Sequence, residues 1–366
     1  MANAKYKKGK DGWYSTLVWD GTYTADGRKH RKQLRSNKSS RDLERIVDEF
    51  RRNVESRKVV INTNVTFVDY AKQWANTYKA STALNTRSMY ENIINVHFRQ
   101  LESVLLKDFR RIHLQSVLNS CSLSTGQKVY MCINQIIKSA IHDQYLPAAA
   151  LDDIFEDVKS PKPPKSEKRA LYPEEKEVIG KVVLDPMDKA YLWIIYGCGL
   201  RREEALALTV FDLDFKRSQI AVNKALVFDG NNPVLKDTKS ENGVRNVPMP
   251  GYLSDYLKQY IHTISGTNLF WSRGKSQMTK SSYVKMWQRI RKEISRLSGC
   301  SCKDLTAHVF RHNYCTELCY QIPTVSIKRI AQLLGDTERV VMDVYNHILL
   351  DREDAATAVE HAVGIV

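Results

Sequence analysis

The sequence predicts a multidomain protein, mainly α with small β-sheets, on three observations. A chain of 366 residues exceeds what one hydrophobic core usually serves, so two or three cores are expected. Apolar residues recur at helical spacing over most of it, and short strand-like runs bounded by turn dipeptides are confined to two stretches, residues 13–34 and about 218–248. Residues 159–168, KSPKPPKSEK, hold three prolines and four lysines, which cannot bury a core and suit a stiff spacer. The expected divisions are therefore 1–60, 61–158, a linker at 159–168, and 169–366.

Residues 13–19, WYSTLVW, alternate and are rich in aromatic and β-branched types, as a strand requires. Asp20-Gly21 and Asp26-Gly27 read as turns, the second leading into RKHRKQL, so a three-stranded sheet is expected. Leu43, Ile46, Val47, Phe50 and Val54 then fall at helical spacing, adding one helix to the sheet. Arg28, Lys29, Arg31 and Lys32 sit at its turn, a placement that would let a basic sheet enter a DNA groove. From Thr66 the pattern becomes helical. Thr66 and Asp69 resemble a capping box with Asp in place of Glu, and Phe67, Tyr70, Ala71, Trp74 and Tyr78 line one face. Further helices at about 82–96, 107–120 and 125–145 complete a four-helix domain with no catalytic constellation; its aromatic stripes read as core.

Beyond the linker, Pro173-Glu174-Glu175 opens a helix, and a buried helix at about 188–196 leads into GCGLRREE. Strands are expected at about 218–228, 233–239 and 243–248, joined by D-G-N-N and E-N-G turns. Helices return from Tyr252 onward, with candidates at 279–297, 305–320, 326–334 and 337–347, and a short one from Asp351. The last division is thus mixed α+β.

The net charge is +15, and through residue 60 sixteen Lys or Arg face eight Asp or Glu. Such a surplus points to a polyanionic partner, nucleic acid above all, whose phosphates Lys and Arg neutralise. No apolar run approaches the ~18 residues of a membrane span, and MANAKYKKGKDGW lacks the apolar region of a signal peptide, so a cytoplasmic protein without membrane contact is expected. Seven cysteines read as reduced thiols. Cys300 and Cys302, near His308 and His312, lack the usual gap of a zinc pair and have no second pair to match, so neither metal nor cofactor is expected.

The chemistry concentrates in residues 304–347. His308 and Arg311, three apart in H-V-F-R, share a helical face and can address one anion together. Tyr345, beyond the break at Gly335-Asp336, could then be a nucleophile, a part that phenols seldom take unless the target is phosphorus. Taken alone, H-x-x-R is as well explained by a core His and a surface Arg.

Four motifs in this order, G-L-R-R-E-E, T-K-S-E-N-G-V-R-N-V-P, H-V-F-R-H and L-L-G followed by Tyr345, resemble the tyrosine recombinases, in particular the integrases of phages and conjugative elements. The resemblance implies a three-domain protein of the lambda-integrase type: an arm-type DNA-binding sheet, a helical core-binding domain and a catalytic domain whose C-terminal tail docks on a neighbouring protomer. It implies that Arg201 is the first catalytic arginine and that Glu204 holds the site's geometry. Lys239, with Lys236 as a nearby competitor, matches the lysine that protonates the leaving 5′ oxygen. His308 and Arg311 match the H-x-x-R pair, and Tyr345 the nucleophile that forms a 3′-phosphotyrosine.

The residue types suit that chemistry. Two guanidiniums offer rigid forks of donors to the phosphate oxygens, and an imidazole can exchange a proton near neutral pH. Asp336 departs from the family, which usually has His or Trp there; His347, two after the nucleophile, lies outside that slot. Asp336 would either be held protonated by burial or, as an excellent N-cap residue, cap the helix carrying Tyr345; the cap is the expected outcome. The function implied is site-specific DNA recombination for a mobile element, by a homotetramer on double-stranded DNA, with an excision accessory factor as a further candidate partner. A type IB topoisomerase shares the chemistry, and a catalytically silent DNA-binding protein would share the fold.

Overall fold

The computed structural model describes residues 4–23, 29–55, 64–164, 169–237 and 243–352. The chain divides into two units, Met1–Lys165 and Ser166–Val366.

The first unit opens with strands β1 (Tyr14–Tyr23) and β2 (Lys29–Ser36), an antiparallel pair with Val18 opposite Lys32 and Trp19 opposite Arg31. Helix α1 (Ser40–Glu55) covers one face, and Val18, Leu43 and Val47 are buried between them. The described residues here form a ladder of two strands rather than the expected three, because Asp20-Gly21 is not a hairpin turn. Trp19 and Tyr23 face Arg31 and Lys29, so the extra residues are absorbed as a bulge while β1 runs on. A turn dipeptide suits a bulge as well as a turn. What remains of a third strand is a single bridge, Lys8 opposite Tyr14.

Strand alternation splits the basic cluster. Lys32 shares the face of Val18 and lies over the Phe50 ring of α1, 5.8 Å from its centroid. Arg31 and Arg35 share the opposite, uncovered face, and Lys29 stands over the Trp19 ring at 4.9 Å. Arg28 lies outside the described residues.

A separate core follows, built by α2 (Phe67–Tyr78), α3 (Leu84–Asn92, prolonged by one wider turn to His97), α4 (Arg111–Asn119), α5 (Leu123–His142) and α6 (Ala150–Phe155). The expected cap is present: the Asp69 N–H donates to the Thr66 hydroxyl at 3.1 Å, which in turn donates to the Asp69 carboxylate at 2.7 Å. Val129, Cys132, Ile133, Ile136, Ile137 and Ala140 form the buried stripe of α5. Phe67 stacks on Phe109 with centroids 4.4 Å apart, closing one end.

The second unit runs α7 (Pro173–Val178), α8 (Pro186–Cys198), α9 (Arg202–Leu206), β3 (Leu213–Asp214), β4 (Gln219–Val222), β5 (Lys224–Asp229), β6 (Asn232–Asp237) and β7 (Arg245–Pro248). Then come α10 (Gly251–Tyr260), α11 (Lys280–Ser298), α12 (Ala307–Cys319), α13 (Ile327–Leu334) and α14 (Glu338–Arg352). The strand expected at 218–228 is two strands. β4 sits between β3 and β7, whereas β5 pairs with β6 as a hairpin closed by D-G-N-N, so the chain changes partner near Asn223.

Helix α8 lacks a polar stripe because it crosses the core: Ala190, Tyr191, Leu192, Ile194, Ile195 and Cys198 are all fully buried. It thereby fixes where its C-terminal G-L-R-R-E-E can lie. α14 ends at Arg352, and beyond these first two residues the helix expected from Asp351 is outside the described residues. Among those described, no helix is long and apolar enough to cross a membrane.

Candidate active site

Segments far apart in sequence meet at the C-terminal end of α13. α8 stops at Gly199, whose φ of +60° is left-handed, and a Cβ there would lie 2.3 Å from the Tyr314 ring, so glycine alone fits this turn. Buried Leu200 anchors the chain as it leaves, and Arg201 takes the position just before α9. In the first turn of α9 the Glu204 carboxylate accepts the Arg201 backbone N–H at 2.9 Å, the back-bonding half of a capping box. It also accepts from Arg201 Nη1 at 2.8 Å. The R-x-x-E spacing thus closes on itself and makes one unit of two residues.

The first turns of α12 supply His308 and Arg311. The Arg311 side chain is 8% exposed; Nη1 donates to the Gly199 carbonyl at 3.0 Å and Nη2 to the Leu334 carbonyl at 2.5 Å. His308, exposed, lines a cavity of about 400 Å³ together with Arg311, Asp336, Val340 and Val344.

α13 ends at Gly335, again left-handed with φ +63°, and the last carbonyls of a helix have no partner within it. Three guanidiniums take successive carbonyls there. Arg245 from β7 donates to Leu333 at 2.8 Å, Arg311 to Leu334 at 2.5 Å, and Arg201 to Gly335 at 2.9 Å. The negative end of the helix dipole favours these cations. L-L-G is thus a set of backbone acceptors that hold arginines in place.

Asp336 follows directly. Its Oδ2 accepts from Arg201 Nη2 at 3.0 Å and from Arg311 Nη2 at 2.6 Å. The expected cap is not formed: α14 opens at Glu338, with the Val340 N–H on the Thr337 carbonyl, and the Asp336 carboxylate turns to the arginines instead. Two charge-assisted bonds outweigh a cap that contributes about 1 kcal/mol. Nor is the side chain enclosed, at 29% exposure.

Burial alone would push the Glu204 carboxyl up. Arg245, which grips it with Nη1 at 3.1 Å and Nη2 at 2.8 Å, reverses this together with Arg201 and brings it down to about 2. Burial, and then the Arg201 charge, hold the Arg311 guanidinium below its ordinary range, against the pull of Asp336 and Glu204. A guanidinium starts so high that it keeps its charge.

The structure therefore joins Arg201, Glu204, Arg311 and Asp336 by direct bonds and sets His308 on the same cavity. No hydrogen bond joins Tyr345 to Arg201 or Arg311. Tyr345 lies half-buried on α14, packed against the small cluster of Cys315, Cys319, Ile330 and Val341, while Val340 and Val344 of the same helix border the cavity. Lys236 is on β6, Lys239 lies outside the described residues, and His347 belongs to α14 with its side chain likewise outside. Cys302 meets the Glu175 carboxylate at 3.7 Å, and among the described residues no group of His, Cys, Asp or Glu is placed to hold a metal ion. Sequence reasoning missed Arg245. It stands inside G-V-R-N-V-P, where local pattern gives no sign that its guanidinium is buried.

Residues 171–351 match the phage integrase family. The tyrosine recombinase XerA of Thermococcus kodakarensis is 27% identical over 228 residues, which span 60% of this chain and 74% of that one. A XerC-like tyrosine recombinase of Caldanaerobacter subterraneus is 22% identical over 94% of each. Among solved structures, the Tn1549 transposon integrase in complex with transposon right end DNA superposes with a TM-score of 0.65 at 21% identity, over 81% of this chain and 99% of that one. A lambda integrase dimer bound to a core site gives 0.56 at 12% identity, over 94% and 95%. At these identities the structural likeness is one of fold, and the fold is the multidomain, mainly helical one described above. With the family matched across the unit that carries the site, and with recombinases as relatives, residues 171–351 form a phage integrase family domain and the chain is a site-specific tyrosine recombinase.

Proposed function

We propose that this recombinase is the integrase of a mobile genetic element, cutting and rejoining double-stranded DNA through a 3′-phosphotyrosine on Tyr345. The observation that carries this reading is the convergence of Arg201 and Arg311 on one carboxylate oxygen, at 3.0 and 2.6 Å. A scissile phosphodiester offers the same thing, an anionic oxygen, and its pentacoordinate transition state gathers more charge there. A non-bridging phosphate oxygen would take the position that Asp336 Oδ2 holds. The Tyr345 oxygen attacks phosphorus, the bond to the 5′ oxygen breaks, and Lys239 gives that oxygen its proton while His308 takes the phenol's. One phosphoester replaces another, so a 5′ hydroxyl can reverse the step without ATP.

DNA as the partner is also supported by the Tn1549 and lambda integrase structures, which hold it. The working form on this reading is a tetramer on two sites in the cytoplasm, residues 61–158 gripping core DNA, 1–60 arm DNA and 169–366 acting on the phosphodiester, with an accessory factor for excision. Incubation with supercoiled DNA carrying the element's junction tests it. Adducts mapped to one phosphodiester per strand are expected. Relaxation without site preference would favour the topoisomerase reading, and absence of any adduct the silent DNA-binding one.

Asp336→Asn should raise affinity for core-site DNA about fivefold, since a partly exposed charge contact is worth ~1 kcal/mol and the carboxylate no longer competes for the arginines. Binding titrations at fixed salt measure this. Loss of both affinity and cleavage at unchanged melting temperature would mean that Asp336 acts in the chemistry.

Deleting residues 1–60 should leave cleavage of isolated core-site DNA intact, abolish binding to arm sites and flatten the salt dependence of affinity. The core over residues 67–158 shares no buried residue with the one formed by Val18, Leu43 and Val47, so it survives the cut. A folded truncation that no longer binds core sites would refute the division of labour.

A further inference from the structure

We infer that Arg245 is a positioning residue for recombination, acting on the scissile phosphate through Glu204 and Arg201; the inference rests on the cleavage chemistry proposed above. Its side chain is 6% exposed and its donors are engaged: Nε on the Leu333 carbonyl, Nη1 on the Gly243 carbonyl and on Glu204 Oε1, Nη2 on Glu204 Oε2. It therefore has no fork free for DNA. What it does is hold both ends of the arginine seat. It neutralises buried Glu204, whose carboxylate orients Arg201 through the backbone N–H and Nη1, and it ties β7 to the end of α13, where Leu334 and Gly335 receive Arg311 and Arg201.

The chain of contacts runs Arg245, Glu204, Arg201, phosphate. Without Arg245, the Glu204 carboxylate keeps one cationic partner instead of two and would draw Arg201 inward, away from the anion. Lys could not replace it, because a single ammonium cannot span both carboxylate oxygens and a carbonyl in the plane of the fork.

The experiment is a double-variant cycle in the full-length protein, with Arg245→Met and Arg201→Ala made singly and together. Single-turnover adduct formation is measured on a suicide core-site substrate, at saturating protein and well below each variant's melting temperature. Arg245→Met should lower the saturated rate about a hundredfold, the scale of a catalytic contact misplaced by an ångström. Core-site affinity should stay within about twofold, since Arg245 touches no DNA. In the Arg201→Ala background the same change should cost less than about threefold, because the group it acts through is already gone.

A full hundredfold loss in both backgrounds would overturn the inference, as would weakened binding with an unchanged saturated rate, which would make Arg245 a DNA contact. Should Arg245→Met show no cooperative melting, Arg245→Lys keeps the buried charge and must show the same non-additivity, with a loss of about tenfold; additive losses refute it equally. A wild-type protein that forms no adduct at all would overturn the cleavage chemistry itself, and this role with it.

Discussion

Tyr345→Phe should bind core-site DNA with wild-type affinity and form no covalent protein–DNA adduct, a loss limited only by the sensitivity of the assay. The phenyl ring keeps the packing of α14 against Cys315, Cys319 and Ile330, so the fold is not what changes. What is removed is the one oxygen that attacks phosphorus. Denaturing gels of a suicide-substrate reaction read the result directly. Adduct at the wild-type level would remove Tyr345 from the mechanism and direct attention to another of the eighteen tyrosines. In the structure the Tyr345 ring packs on the cluster of Cys315, Cys319 and Ile330, which also holds Leu334, whose carbonyl Arg311 takes.

Arg201→Ala and Arg311→Ala should each slow cleavage by about two to three orders of magnitude, the scale of losing one preorganised donor to a developing charge. Their costs to the fold should differ. Arg201 is 31% exposed, and its loss leaves Glu204 still paired with Arg245. Arg311 is buried, and its removal strips a donor from the Gly199 and Leu334 carbonyls, so about 1–3 kcal/mol of stability should go with it. A guanidinium in an open cleft could be removed at little cost to folding, and Arg311 is not in one. Arg311→Lys, which keeps the charge, separates the two effects. A stable Arg311→Lys protein that cleaves at the wild-type rate would show that the bidentate fork is not needed.

The sequence by itself determined what depends on neighbours along the chain. Helical spacing located α2, α5, α8 and α11–α14 to within a few residues, and Thr66 with Asp69 gave the cap of α2. H-x-x-R lies on one helical face, so His308 and Arg311 were legible from spacing, whereas Arg201 and Glu204 were candidates only through the resemblance of G-L-R-R-E-E to the tyrosine recombinases. Local rules failed where distant groups compete for the same residue. Asp20-Gly21 has the composition of a turn, yet the ladder with β2 absorbs it as a bulge. The strand expected at 218–228 divides because two sheets claim its halves. Asp336 has the sequence context of a helix cap, but folding carries two guanidiniums to its carboxylate, from 135 and 25 residues away in the chain. Arg245 was invisible for the same reason. Its partners, Glu204 and the Leu333 carbonyl, lie 41 and 88 residues away, and a buried charge can be recognised only once its counter-charge is in place. Tertiary structure alone decides such positions, because Coulomb attraction and the desolvation of charge depend on distances in space, whereas caps, turns and amphipathic faces are set by distance along the chain.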